Sequence, residues 1–152
     1  MAGILNASVP KLQDPLLLQA EKELEAKITP ELKSDYQKIV ASGMQILFSE
    51  KTRSMVQNGL KHSPDMAKNV STMASVAVTM VYSQAKGQPG FDPKTFPLAG
   101  MFAVLTLMFQ ILDFAEKSGV LQVDQKLLAE CTKATSKAYL EKCGVTPDKV
   151  QQ

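Results

Sequence analysis

Catalysis needs a nucleophile, a tunable acid or base, or converging metal donors, and this sequence holds few candidates. Its single histidine, His62, stands just before Ser63 at a predicted helix start. A general base must lie within hydrogen-bond reach of the proton it takes, and His62, standing beside a cap, reads as a surface residue at a helix end. Cys131 and Cys143, the 2 cysteines, would lie roughly 18 Å apart on one helix, beyond a disulfide or a shared metal. Both read as reduced, structural thiols. There is no glycine-rich phosphate loop, close cysteine pair or His-Glu metal motif, and the acids fall on helix faces where solvation accounts for them. The residues predict no enzyme, cofactor or metal.

Charge gives no strong lead toward nucleic acid. The 17 Lys and Arg are interleaved with 15 Asp and Glu, for a net charge of +2. The densest cationic stretch, Lys51, Arg53, Lys61, His62 and Lys68, contains no aromatic residue on which bases could stack. It reads as a solvated face, and no specific nucleic-acid partner is predicted.

One polar constellation is ordered. Ser71, Ser75, Thr79 and Ser83 recur every fourth residue in an otherwise uncharged segment. A narrow hydroxyl stripe of this kind lets helices approach closely, in water or in lipid. With Ala77, Val104 and the loop residue Phe91 it forms the predicted interaction surface.

The elements that carry these residues are helical. The apolar set holds 8 Met and no Trp, with 3 Tyr and 6 Phe, and aliphatic and thioether side chains suit helix packing. Thr29-Pro30-Glu31, Ser63-Pro64-Asp65 and Thr146-Pro147-Asp148 each set an oxygen cap, a proline and an acid in the order of a helix start. Asp14-Pro15 is a weaker instance. Helices are expected from Pro15 to Lys27, Pro30 to Phe48, Glu50 to Lys61 behind a Ser49 cap, Pro64 to Lys86, Pro97 to Lys117, and Asp124 to Lys142 with a stop at Gly144. The second carries an apolar stripe of Leu32, Tyr36, Ile39, Val40, Gly43, Ile46 and Leu47. The third carries Met55, Val56 and Leu60.

The expected fold is all-α: a compact bundle of about five to six helices with a central antiparallel apolar helix pair. An amino-terminal arm occupies 1–13, the helical domain 14–144 and a carboxy-terminal tail 145–152. The two core helices, over Val70 to Tyr82 and Leu98 to Leu112, carry no charge. A membrane span needs about 20 predominantly apolar residues, so these shorter stretches favour buried core or subunit contact over insertion. Two helices this apolar also predict more greasy surface than one small bundle covers, hence self-association or docking. Met1 to Asn6 lacks the pattern of a secretion signal, which predicts folding in a cytoplasm.

Lys38-Ile39-Val40-Ala41-Ser42-Gly43-Met44, Phe48-Ser49-Glu50-Lys51-Thr52 and Leu112-Asp113-Phe114-Ala115-Glu116-Lys117-Ser118-Gly119 resemble small helical virion-associated proteins of tailed bacteriophages. The similarity spans Leu32 to Leu121 and carries no catalytic residues. It implies a structural component of the phage particle, at the head-to-tail region or among internal proteins ejected with the genome. The implied partners are further copies of the chain or other virion proteins. A membrane-active protein whose apolar hairpin inserts during genome delivery, and a regulatory binding module of the host cytoplasm, are the alternative expectations.

Overall fold

The computed structural model describes residues 11–49, 53–61, 65–92 and 94–142, and within them the chain forms six α-helices and no strand. They are α1 (Pro15–Glu25), α2 (Pro30–Phe48), α3 (Arg53–Lys61), α4 (Met66–Ala85), α5 (Phe96–Lys117) and α6 (Gln125–Lys142). The expected all-α bundle is the fold. Ser63, Pro64, Cys143, Gly144 and the Thr146-Pro147-Asp148 start lie outside the described residues, as do His62 and most of the predicted arm and tail.

Cap chemistry sets where several of these helices begin, though not always with the side chain the sequence favours. Asp14, the weaker candidate, accepts from the backbone N–H groups of Leu16 at 2.8 Å and Leu17 at 3.3 Å, with Pro15 in the first turn. Thr29 stands at the cap of α2, but its hydroxyl makes no capping hydrogen bond. The described cap of α4 is Asp65, which accepts from Lys68 N–H at 3.1 Å. Asp124 does the same for α6, accepting from Leu127 N–H at 2.7 Å. A carboxylate in these places also meets the positive end of the helix dipole. Helix α1 ends at Glu25, two residues before the expected Lys27, because Lys27 and Ile28 turn tightly onto the carbonyls of Leu24 and Glu25.

The core is organised around α5. Fourteen of its 22 residues are buried, among them all eight from Thr106 to Asp113. Eight consecutive residues cover more than two turns, so no side of that stretch meets water. α2, α4 and α6 surround it, and α1 lies across it. α4 packs against both α5 and α6. The expected apolar pair therefore exists, with α5 the enclosed member and α4 a flanking one.

Small residues set the spacing between rods. A Cβ on Gly43 of α2 would come within 2.5 Å of the Leu107 side chain, and one on Gly100 of α5 would collide with the Tyr139 hydroxyl of α6. Tyr139 uses that room to donate from Oη to the Pro97 carbonyl at 2.8 Å. α4 and α6 pack together, and their buried residues include several small ones, Ser71, Ala74, Ser75 and Ala77 on one helix and Cys131 and Thr135 on the other. Compact side chains let two backbones approach, which accounts for the extensive α4–α6 packing.

Candidate functional site

The hydroxyl stripe does not stay on one face. An α-helix turns about 100° per residue, so each four-residue step advances by roughly 40°, and the series winds from core to solvent. Ser71 and Ser75 are buried, whereas Thr79 and Ser83 are exposed. Ser71 Oγ donates to the Lys68 carbonyl and Thr79 Oγ1 to the Ser75 carbonyl, each at 2.8 Å. Ser75 Oγ is fully buried with no hydrogen-bond partner.

Ala77 and Val104 are core residues, 1% and 0% exposed. They cannot form a contact surface in the folded chain, and a charge at either would damage the core rather than probe an interface. Phe91 is half-buried and packs inside the molecule, its ring centroid 5.5 Å from that of Tyr82 and 5.1 Å from that of Phe96. Tyr82 ends α4 and Phe96 opens α5, so the three rings clasp the connecting loop, with Gly87 and Gly90 supplying its positive-φ turns. The loop is a pinned connector.

What remains open on α4 is its outer side, formed by Thr72, Val76, Thr79, Met80 and Ser83. Val76 is 39% and Met80 43% exposed, one above the other at i and i+4. No charged residue occurs from Asn69 to Ala85. The sequence reading missed Val76 and Met80, and the signal was their place opposite the inward set Val70, Ala74, Ala77, Val78 and Val81. Leu98 and Met55 are the other large exposed apolar side chains among the described residues. The predicted surplus of apolar surface is thus confined to a few positions, because most of α5 beyond Leu98 is covered by its own chain.

Groups capable of proton chemistry are few and structurally occupied. Among the described residues no three His, Cys, Asp or Glu side chains could share a metal ion. Burial pushes the Cys131 thiol up to about 12, with Glu130 and Asp65 adding to the shift. A thiol so hard to ionise is a poor nucleophile. Tyr36 is also raised by burial, and its Oη shares a 2.7 Å hydrogen bond with Thr106 Oγ1 inside the core.

One carboxylate group gathers where α1 meets the end of α5. Asp113, almost wholly buried, accepts from the backbone N–H groups of Gln13 at 3.2 Å and Asp14 at 3.3 Å and pairs with Lys117 Nζ at 2.8 Å. Glu116 accepts from Val123 N–H at 2.8 Å, and its carboxyl lies beside that of Asp14. That contact with Asp14 lifts the Glu116 pKa above its usual range, against the lowering effect of Val123. These acids tie the chain's early segment to the bundle.

Beside them opens a cleft of about 450 Å³ between α2, α3 and α5. Met44, Phe48 and Phe114 form its apolar floor, and Arg53, Asp113 and Lys117 its charged edge. The Phe48 and Phe114 rings meet edge to face at 5.2 Å. No protein-family model, curated protein or solved structure matches the chain.

Proposed function

We propose that this protein is a non-enzymatic assembly component of a tailed-bacteriophage particle, at the head-to-tail region or among the internal proteins, acting through helix-mediated contacts. The observation that carries the assembly reading is the outer side of α4. A helix face turned to water normally carries charge. This one offers Thr72, Val76, Thr79, Met80 and Ser83, with no charge between Asn69 and Ala85. Charge depletion and exposed methionine mark the centres of protein–protein interfaces, where a flexible thioether adapts to a partner. The resemblance of the Lys38–Met44, Phe48–Thr52 and Leu112–Gly119 segments to virion-associated proteins supplies the setting.

Mass spectrometry of purified particles tests the setting, with the chain expected at a fixed copy number per particle. Particles that lack it would rule the virion role out. The double variant Val76→Lys, Met80→Lys should fold normally and be lost from the particles, because both side chains lie outside the core.

A second reading draws on α5. Its 22 residues have a mean hydropathy of 1.9 over the most apolar stretch, long and apolar enough to cross a membrane. The uncharged stretch Leu98 to Leu112 alone is shorter than a span needs. Yet 72% of it is buried within the fold, as in the core helix of a water-soluble bundle, and insertion would require the bundle to open around it. Liposome flotation separates the readings: a closed bundle stays with the soluble fraction, an inserting hairpin floats.

A further inference from the structure

We propose that the cleft between α2, α3 and α5 binds a small amphiphilic monoanion, an aliphatic or aryl carboxylate, independently of the assembly role. Volume, floor and charge each bear on this. At about 450 Å³ the cleft falls in the size range of small-ligand sites. Met44, Phe48 and Phe114 line the floor with polarisable apolar surface, and the edge-to-face contact at 5.2 Å holds the two rings in place. A floor of this kind takes a short chain or a ring.

The edge selects the head group. Of the three charged residues among the described lining residues, Lys117 is already neutralised by Asp113, their atoms 2.8 Å apart. The second Asp113 oxygen is taken by the Gln13 and Asp14 amides. That leaves Arg53 as the net positive charge among the described lining residues. Its exposed guanidinium lines the cleft and donates from Nη2 to the Phe48 carbonyl at a long 3.4 Å. A planar fork of N–H donors matches a carboxylate two bonds at a time. An apolar tail on the floor and a carboxylate on Arg53 satisfy both halves of the cleft at once.

The probe is decanoate at submicellar concentration, titrated into the whole chain and followed by NMR at the Met44 methyl and the Phe48 and Phe114 rings. Saturable shifts confined to these groups are expected. Arg53→Gln should weaken binding by roughly tenfold, the value of a charge-assisted hydrogen bond, with an unchanged melting temperature because the side chain is exposed. Arg53→Lys should recover only part of that loss, since lysine keeps the charge but not the two-bond fork. Ala41→Met, on the cleft wall, should block the site while leaving its charge intact. The proposal is overturned if decanoate gives no saturable shifts, if Arg53→Gln binds as the parent does, or if decanol or dodecyltrimethylammonium binds as tightly as decanoate.

Discussion

A hydroxyl withdrawn from water stabilises or weakens a fold according to whether another group answers it, and this core contains both cases. Tyr36 and Thr106 answer each other across 2.7 Å. Ser75 and Thr135 keep fully buried oxygens with no partner, and each such atom costs about 1–3 kcal/mol of desolvation. Ser75→Ala removes that cost without opening a sizeable cavity, so it should stabilise the protein by about 1 kcal/mol, read as a rise in denaturation midpoint at constant slope. Tyr36→Phe strands the Thr106 oxygen and should lower the midpoint by a similar amount. A loss of stability in Ser75→Ala would mean that its hydroxyl is satisfied after all. Hydroxyls in a repeating stripe look alike in the sequence. Their energetic signs differ because the helix turns Ser75 into the core and Thr79 into water.

Among the elements, α1 is held by chemistry gathered at one end. Asp113 takes the amides of Gln13 and Asp14, Leu12 and Leu17 are buried, and Glu116 faces the Asp14 carboxyl. The Glu116 pKa is raised in the folded state, so the fold holds that proton more tightly than the unfolded chain does. Its favourable contribution is complete below the unfolded value and disappears as pH climbs through the raised one. Glu116→Gln should therefore raise the melting temperature at pH 7, and the gain should vanish as pH falls below the ordinary glutamate range. Solvent screening keeps the gain small. A gain equal at both pH values would place its cause elsewhere. Element positions were largely legible: the Thr29-Pro30-Glu31 start and the stripe from Leu32 to Leu47 locate α2, because its wet and dry faces alternate with the helical period. The cap bonds were less so, since Asp14 forms one and Thr29 does not, a matter of local geometry rather than residue type.

For the whole molecule, the burial of most of α5 leaves the outer side of α4 as an uncharged surface, through which the proposed assembly would be made. That surface was faint in the sequence because α4 carries no charge over Asn69 to Ala85 to mark which side is wet, leaving only the spacing of its inward residues as a signal. Packing against α5 and α6 decides the orientation, and it leaves Val76 and Met80 outside. The cleft was hidden for another reason, its walls coming from segments as far apart as Ala41 and Lys117. The assembly reading stands on the α4 surface and is tested most directly by sedimentation velocity of the purified chain at micromolar to tens of micromolar concentration. The parent is expected to sediment as an oligomer, and Val76→Lys, Met80→Lys as a monomer with an unchanged circular-dichroism spectrum. A parent that remains monomeric throughout, or a double variant that associates as the parent does, would contradict the account.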